Sequence, residues 1–400
     1  MPWKETCPMD QRMQFVIEHR SGTLSVSELC RLYGISRQTG HKWIKRFSLS
    51  AGMASLEELS RRPLHSPATT PALLVQRIID RRKQFPTWGA RKVLWLLQQQ
   101  WPKVDWPHPT TVNDILKRHG LVRARKRRPR IPPRTQPFSH CSEPNDVWCL
   151  DFKGHFRTGD GEVVYPLTVM DAFSRFLLAC VPLRAPEGAP VGKVFEELFR
   201  KHGLPKALRC DNGEPFIAAR SPAGLSRLSA WWVKLGIRVE RIDPGKPQQN
   251  GRHERLHLTL KIETALPPKA TFRAQSLAFA RFCELYNQVR PHEALGMKTP
   301  ASLYRPSPTP FPLRTPRLQY PFADLVRVDT VGSIHWGNYK YFVSSSLAGE
   351  LLGIYVLDRR YAELRFAKLL LGVLDTEQPL RGLIRPKPPR KTKLSTMSHD

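Results

Sequence analysis

Two proline-rich stretches divide this chain into regions that must fold separately. Residues 123–137 combine several prolines with a run of arginine and lysine and contain no acidic residue, and every second residue from Pro306 to Pro312 is proline. Proline lacks the N–H that helices and sheets use, and a run of like charges cannot form a core. We therefore expect two extended segments that separate an amino-terminal, a central and a carboxy-terminal region.

The charge balance indicates a polyanionic partner. The chain has 64 lysines and arginines against 34 aspartates and glutamates, a formal net charge of +30. Such a surplus is self-repelling, and nucleic-acid phosphates neutralise it with release of counterions. No run approaches the roughly 18–20 apolar residues of a membrane span, and the amino terminus lacks the apolar stretch of a secretion signal. The scattered cysteines, with no Cys-x-x-Cys pair, are typical of reduced thiols in the cytoplasm.

Residues 1–62 have the pattern of a helix-turn-helix DNA-binding domain. Ser25 and Glu28 form a capping box, and Gly34 can adopt the left-handed turn that leads into a helix from Arg37 to Phe47. Gly40 inside that helix costs roughly 1 kcal/mol relative to alanine. The alternative is an ordinary three-helix bundle. The residues expected to contact DNA are Arg37, Gln38, Thr39, His41, Lys42 and Lys45.

Residues 71–122 predict a second helix-turn-helix domain. Its last helix begins at Pro109 and ends at Gly120, which are the residue types favoured at those two positions. An ordinary bundle is again the alternative. The residues expected to contact DNA here are Thr110, Thr111, Asn113 and Lys117.

A basic linker, residues 123–140, follows the second domain. Its cationic side chains are expected to follow a phosphate backbone, and the alternative is a solvated tether without function. The residues singled out for DNA contact are Arg125, Lys126, Arg127 and Arg128.

The central region changes to a strand pattern at Asp146. Residues 147–152, 163–170 and 176–183 are rich in β-branched and aromatic residues, and short strands then alternate with helices up to about residue 288. This order predicts an RNase H-like α/β catalytic core over residues 141–306. Short alternating strands within residues 320–376 predict a small C-terminal β-barrel, followed by a basic tail at residues 377–400. The predicted strands are Leu325–Val331, Tyr339–Val343, Leu352–Val356 and Tyr361–Phe366. The fold class is therefore multidomain α+β, with all-α helix-turn-helix units at the amino terminus.

Three carboxylates have local settings that suit metal binding. Asp151 lies near the end of the first predicted strand, Asp211 follows the fourth and precedes Asn212-Gly213, and Glu254 lies in the first turn of a helix. Carboxylate oxygens are the ligands that Mg²⁺ prefers, and two such ions can clamp the attacking and leaving oxygens of a phosphodiester. We expect these three residues to converge and to bind two Mg²⁺ or Mn²⁺ ions. Asp171 is the chief rival to Asp151.

These residues and their neighbours resemble a known family. Asp151 after Trp148, Asp211-Asn212-Gly213, the segment at 247–254 and the segment at 286–296 are similar to the catalytic core of insertion-sequence transposases of the retroviral-integrase (DDE) superfamily. The resemblance implies a metal-dependent DDE polynucleotidyl transferase. Such an enzyme cleaves phosphodiesters at element ends and joins the 3′-hydroxyl to target DNA.

The resemblance also implies partners. Lys261 matches a basic position that the family uses to hold the DNA end. Gln249 and Asn250 are expected to contact the same DNA end, and His257 is expected either to contact it or to pack inside the core. The DNA partners would be the terminal inverted repeats of an element and its target DNA, in the nucleoid of a bacterial cytoplasm. Two ends need at least two active sites, so we expect self-association on DNA.

One departure and two alternatives stay open. Asp211 and Glu254 are 43 positions apart, several more than is usual in the family, and we expect the extra residues in a surface loop at 217–224. The alternatives are a non-catalytic helix-turn-helix regulator and a nuclease of the RNase H class.

Overall fold

The computed structural model describes residues 7–49, 52–60, 69–122, 141–242 and 251–386. The chain forms two compact units, Met1–Thr70 and Pro71–Asp400. Among the described residues no helix is long and apolar enough to cross a membrane. The predicted DNA contacts at 125–128 and at 249–250, and the tail from residue 387, lie outside this part of the chain.

The first unit is a three-helix body. It contains α1 (Pro8–Ser21), α2 (Val26–Leu32), α3 (Arg37–Leu49) and a short 3₁₀ turn at Met53–Leu56. The predicted capping box forms at the start of α2, where the Ser25 N–H donates to Glu28 Oε2 at 2.8 Å. The buried core residues are Phe15, Val16, Leu29, Cys30, Trp43 and Leu56.

Gly40 is explained by close packing of the helices in this unit. A Cβ atom at this position would lie 2.5 Å from Cys30 Sγ and 3.0 Å from Phe15 Cζ. The cost in helix propensity is therefore offset by a close approach of α3 to α1 and α2 that no side chain would allow.

The second unit begins with another trio of helices: α4 (Ala72–Gln84), α5 (Ala90–Gln100) and α6 (Pro109–Arg118). Their apolar faces enclose a core that includes Ile78, Trp88, Val93, Leu97, Val112 and Ile115. The start of α6 is capped by His108, whose Nδ1 accepts from the Thr110 N–H at 3.4 Å.

A six-stranded mixed sheet follows. Its strands are β1 (Val147–Phe152), β2 (Phe156–Arg157), β3 (Val163–Asp171), β4 (Leu177–Leu183), β5 (Ala207–Cys210) and β6 (Arg238–Arg241). The order is β2-β3-β1-β5-β6, with β4 also paired to β3. Strand β1 runs antiparallel to β3 and parallel to β5, and β5 runs parallel to β6. This is the predicted RNase H-like arrangement.

Helices cover both faces of this sheet. On one face α7 (Gly188–His202) and α8 (Arg227–Lys234) pack against the side chains of Trp148 and Leu150. On the other, α9 (Gly251–Leu260) and α10 (Phe272–Glu284) pack against Met170 and Cys180. A π-helical turn, Lys261–Ala265, extends α9, and a second one, Leu285–Val289, extends α10.

The C-terminal strands do not form the predicted barrel in the part of the chain that the structure describes. Strands β7 (Asp324–Arg327), β10 (Leu351–Val356), β11 (Tyr361–Phe366) and β12 (Leu369–Asp375) form an open sheet of order β12-β11-β10-β7, and β8 (Ser333–Trp336) and β9 (Tyr339–Phe342) form a separate hairpin. Apolar residues around α8, including Leu225, Ala230 and Val233, pack into the core of these strands. The sheet therefore buries its apolar face against the central region and need not close on itself.

The loop at 217–224, predicted to lie on the surface, is only partly exposed. Ala219, Arg220 and Ala223 are exposed, whereas Ser221, Pro222 and Gly224 are buried, and Ser221 Oγ bonds to Ser344 Oγ of the C-terminal region at 2.9 Å. Nearby, Lys234 forms an ion pair with Glu350 at 2.6 Å. Residues of this loop thus help to attach the C-terminal sheet.

The predicted extended segment at 306–312 has no helix or strand and lies along the core. The Ser307 N–H donates to the His202 carbonyl at 2.7 Å, the Leu204 N–H donates to the Thr309 carbonyl at 2.8 Å, and Phe311 packs 5.8 Å from the Phe199 ring. These backbone groups of the segment therefore bond to the core and not to solvent.

Candidate active site

Asp151 lies near the end of β1, at the centre of the sheet. It is paired in register with Thr168 of β3, and Thr168 Oγ1 donates to the Asp151 carbonyl at 3.1 Å. Trp148 and Leu150 point to the α7 and α8 face, so the alternation of side chains along a strand directs Asp151 to the opposite face, which α9 covers. Its side chain keeps 20% of its surface exposed.

Asp211 follows β5 directly and belongs to the same face. The parallel register pairs Trp148 with Leu208 and Cys149 with Arg209, and continuing it by two residues brings Asp151 beside Asp211. Residues paired across parallel strands are roughly 4.8 Å apart and point to the same side. The Asp211 side chain is exposed, and its Oδ1 accepts the Gly213 N–H at 3.2 Å.

The surroundings of Cys210, the last residue of β5, are consistent with this proximity. Burial raises the pKa of the Cys210 thiol to about 12, and the negative charges of Asp211 and Asp151 act in the same direction, whereas Arg241 opposes them.

Helix α9 carries the third carboxylate across this face. Glu254 is exposed in its first turn, while His253, Leu256 and His257 are buried beneath it. The His253 and His257 rings lie 5.5 Å apart, one helical turn from each other. The buried row of His253, Leu256 and His257 fixes the rotation of α9 about its axis, so Glu254 lies on the side of the helix that is open to solvent.

His257 is buried, in contrast to the expected DNA contact. Its Nε2 lies 2.8 Å from Thr168 Oγ1, and its Nδ1 lies 3.9 Å from Asp151 Oδ2. Burial, with the charges of His253 and Lys153, lowers the pKa of His257 to about 3, so the ring is neutral near pH 7. Its neighbours are Thr168 and Asp151, and it has little surface to offer to DNA.

Thr168 is the member of this site that sequence reasoning missed. Its hydroxyl bridges the Asp151 carbonyl and the His257 ring. A threonine inside an apolar strand looks like ordinary β-sheet composition, so no local signal distinguishes it.

Asp171, the rival to Asp151, is surrounded by structural hydrogen bonds. It is fully buried, its Oδ1 accepts the Asn145 N–H at 2.8 Å, and its Oδ2 accepts the Ser174 N–H at 2.7 Å. Oδ2 thus holds the turn after β3, and Oδ1 holds the segment that precedes β1.

The donor set suits a hard cation, although the described residues contain no cluster of three metal-binding side chains. Asp151 and Asp211 offer carboxylate oxygens at neighbouring strand ends, the ligand type that Mg²⁺ prefers. Glu254 is exposed on α9, directly after a segment that lies outside the described residues.

The predicted DNA-contacting side chains of the two helical trios lie on exposed faces, with two exceptions. On α3, Thr39 is half-buried and its hydroxyl lies 2.8 Å from Ser36 Oγ, and on α6, Thr111 is half-buried. The exposed residues are Arg37, Gln38, His41, Lys42 and Lys45 on α3, and Thr110, Asn113 and Lys117 on α6. Lys261, at the end of α9, is exposed as well.

Comparison with protein families gives matches across the described domains. Residues 142–247 and 235–300 match two models that are each described as an integrase core domain. Residues 11–63 match a helix-turn-helix domain, and residues 39–116 match a homeodomain-like domain.

Several curated relatives come from bacterial insertion elements. The chain is 27% identical to the insertion element IS476 uncharacterized 39.2 kDa protein of Xanthomonas euvesicatoria, over 72% of this chain and 73% of the relative. It is 26% identical to the insertion element IS407 uncharacterized 31.7 kDa protein of Burkholderia multivorans, over 70% of this chain and 90% of the relative. It is 24% identical to transposase InsD for insertion element IS2 of Escherichia coli, over 61% of this chain and 81% of the relative.

Among solved structures, the HTLV-2 integrase catalytic core domain in complex with magnesium is similar to this chain, and the match covers 41% of this chain and 98% of the integrase chain. Its TM-score is 0.30 and its sequence identity is 15%.

Proposed function

We propose that this chain, which belongs to the integrase superfamily and has transposases and insertion-element proteins among its relatives, is the transposase of a bacterial insertion element. It would bind the ends of the element, cleave a phosphodiester there and join the 3′-hydroxyl to target DNA. The supporting observation is that Asp151 and Asp211 end neighbouring parallel strands on the face that α9 covers with Glu254.

In this proposal Asp151, Asp211 and Glu254 hold divalent metal, with Mg²⁺ or Mn²⁺ as the fitting ions. When bound, such metal lowers the pKa of the attacking hydroxyl and neutralises charge on the phosphate. The Thr168 hydroxyl of β3 bonds to the Asp151 carbonyl of β1 and to the neutral His257 ring of α9. These two bonds hold α9 against the strands and keep Asp151 in its orientation. Asp211 is held by the turn that its own Oδ1 makes with Gly213.

DNA recognition is assigned to the two helix-turn-helix domains. Helix α3 and helix α6 each expose a row of polar and cationic side chains, of the types that contact bases and phosphates in a major groove. The basic linker and Gln249, Asn250 and Lys261 remain proposed contacts with the same DNA. The partners would be terminal inverted repeats and target DNA in the bacterial nucleoid.

Self-association belongs to the same proposal. Joining two ends requires two active sites, and each chain offers one set of the three carboxylates. We propose that copies of the chain assemble on DNA.

The proposal is tested with a DNA fragment that carries both flanks of the gene encoding this chain. The purified chain, the fragment, a supercoiled target plasmid and Mg²⁺ are incubated together, and products are sequenced. Transposition predicts nicks at defined flanking positions and junctions between those 3′ ends and the plasmid. Binding without any cut would support a regulator instead, and cuts without junctions would support a nuclease.

A further inference from the structure

Helices α4 to α6 contact the extension of the helix that carries Glu254. In the turn between α4 and α5, the Thr87 hydroxyl donates to Glu263 Oε1 at 2.5 Å. Glu263 lies in the π-helical turn that continues α9 beyond Glu254. This hydrogen bond therefore connects the helices to which the proposed function assigns DNA recognition with the helix of a proposed catalytic carboxylate.

A second set of contacts comes from the end of α10. Arg290 Nη1 donates to Glu263 Oε1 at 2.7 Å, and the Arg290 guanidinium lies 5.5 Å from the centre of the Trp88 ring. The Trp88 ring in turn stacks on Phe85 at 4.2 Å. The side chains of Arg290 and Glu263 keep 10% and 22% of their surface exposed. This pair resists separation more than an exposed pair does, because breaking it leaves a buried charge without a partner.

These contacts reach helix α6 through Trp88. The Trp88 ring is buried in the same apolar cluster as Val112 and Ile115 of α6, and Val289 of the core packs against that cluster. A close-packed interior transmits displacement, so α6 cannot move relative to the core without disturbing these residues.

Both core residues of these contacts are placed by π-helical turns. Glu263 lies within the turn Lys261–Ala265, and Arg290 directly follows the turn Leu285–Val289. Such turns are rare in proteins and are frequent at functional sites. Lys261, which is proposed to hold the DNA end, begins the first of them and is exposed. One turn thus carries both a proposed DNA contact and the carboxylate that binds Thr87.

We propose that Thr87, Trp88, Glu263 and Arg290, together called the seam, set the distance between the DNA sequence that α6 reads and the phosphate that is cut beside Glu254. The inference rests on the proposed function, because it needs α6 to bind DNA and Glu254 to lie at the cut. The four are positioning residues. They hold α6 and α9 in one relative position, and none of them is proposed to touch DNA or metal.

A fixed distance selects one phosphate of the strand. Successive phosphates of one strand are about 3.4 Å apart along a duplex, so a movement of that size between α6 and α9 would bring a neighbouring phosphate to Asp151 and Asp211. A misplacement of about 1 Å already costs roughly 10²-fold in rate. A loosened seam should therefore change where the DNA is cut and how fast, whereas the affinity for the sequence that α6 reads should stay the same.

The first measurement maps the cuts that the full-length chain makes in Mg²⁺ on the fragment with both gene flanks, at saturating protein. Wild type should cut each end at one phosphate. The double variant Thr87→Val/Glu263→Gln removes the hydroxyl and the charge from the seam. Its cuts should spread to neighbouring phosphates, and its single-turnover rate at the wild-type position should fall by about 10–100-fold. The dissociation constant for the same DNA, measured without Mg²⁺, should not change.

Thr87→Ser and Glu196→Gln are the controls. Serine keeps the hydroxyl that donates to Glu263, and Glu196→Gln breaks an exposed ion pair with Arg200, 3.2 Å long, on α7 at the opposite face of the sheet. Both variants should cut at the wild-type phosphate and at the wild-type rate. Circular dichroism checks folding, and Thr87→Val alone, which removes only a hydroxyl, replaces the double variant if that protein does not fold.

The second measurement needs no cutting. It is hydroxyl-radical footprinting without Mg²⁺, on a duplex that the chain selects from a random-sequence pool. Wild type should protect the recognised sequence and, at a fixed distance from it, a second stretch that the core covers. In the double variant the first protection should remain, and the second should be lost or spread over more nucleotides.

Cuts at the wild-type phosphate and rate in the double variant, or a wild-type footprint, would overturn the inference. If the wild-type chain makes no cut, the proposed function fails, and the footprint still decides whether the seam sets the distance. The two proposals can therefore fail separately.

Discussion

At the level of single residues, Asp151 and Asp171 show how surroundings distinguish a carboxylate proposed to bind metal from a structural one. The two lie on neighbouring strands of one sheet. Asp171 has no exposed surface and both of its oxygens accept backbone N–H groups, whereas Asp151 keeps part of its surface exposed beside Asp211. A carboxylate must reach solvent to bind a metal ion, and the exposed part of the Asp151 side chain allows this.

Part of this site could be predicted from sequence alone. Asp211-Asn212-Gly213 and the segment before Glu254 contain residues typical of sharp turns next to strands and helices, which local chemistry explains. The bridge from Thr168 to His257 could not be predicted, because it joins residues 89 positions apart whose contact depends on how α9 packs on β3.

The first prediction concerns Lys261. Residues seven apart on a helix lie on nearly the same face and about 10 Å apart along its axis, so Lys261 projects on the side of Glu254. Lys261→Ala should slow end cleavage by about 10–100-fold, because a small misplacement of the reacting phosphate costs rate heavily. Lys269→Ala, at an exposed lysine beyond the π-helical turn, is the control. Equal single-turnover rates for the two variants on saturating DNA would leave Lys261 without a role.

A second prediction concerns acid stability through His202. This ring is buried, and burial together with Lys201 lowers its pKa to about 4, below the ordinary value of 6.5. Because the folded state binds this proton less tightly than the unfolded chain does, the stability contributed by the neutral His202 ring is complete above pH 6.5. That contribution declines as the pH falls towards 4. The loss should reach about 3 kcal/mol at pH 4.

The measurement is urea unfolding from pH 7 to pH 4, followed by tryptophan fluorescence. His202→Met should flatten the decline relative to wild type by about that amount. A decline of the same size in both proteins would show that other groups control acid stability.

At the level of helices and strands, composition predicted most elements of the core and fewer of the C-terminal region. The core strands are continuous apolar runs because helices cover both faces of the sheet. Strand β8, Ser333–Trp336, escaped prediction because it is only four residues long and includes a serine and a histidine. Strand β12, Leu369–Asp375, was missed although its residues are largely apolar.

Gly40 gives a prediction at this level. Alanine has the higher helix propensity, yet its Cβ would meet Cys30 Sγ and Phe15 Cζ, so Gly40→Ala should destabilise the first unit by about 1–3 kcal/mol. The control is Gly52→Ala, where the added Cβ meets nothing within 4 Å. Hydrogen exchange over residues 7–49 in the whole chain should quicken only in the first variant. Slower exchange in Gly40→Ala would mean that propensity outweighs packing at this position.

At the level of the whole molecule, the regions beyond Thr70 form one compact unit, and their attachment depends on contacts between distant residues. Among the described residues, the C-terminal sheet packs against apolar residues around α8 instead of closing into a barrel, and Ser221 of the 217–224 loop bonds to Ser344 in that contact. The trio of helices α4 to α6 meets the core where Thr87 donates to Glu263 and where Arg290 lies over the Trp88 ring. Neither surface has a local pattern that distinguishes it from an ordinary solvated one.

The measurement that most directly tests the proposed active site is joining of a pre-cut DNA end by Asp211→Asn. This change keeps the shape of the side chain and removes the charge that holds metal, so in Mg²⁺ the joining rate should fall by about 10²–10³-fold or more. Affinity for the same end, measured in EDTA, should hardly change. Asp324→Asn, an equal change of charge at an exposed position of β7, should join at the wild-type rate. Joining by Asp211→Asn at the wild-type rate would contradict the assignment of Asp151, Asp211 and Glu254 as the catalytic carboxylates.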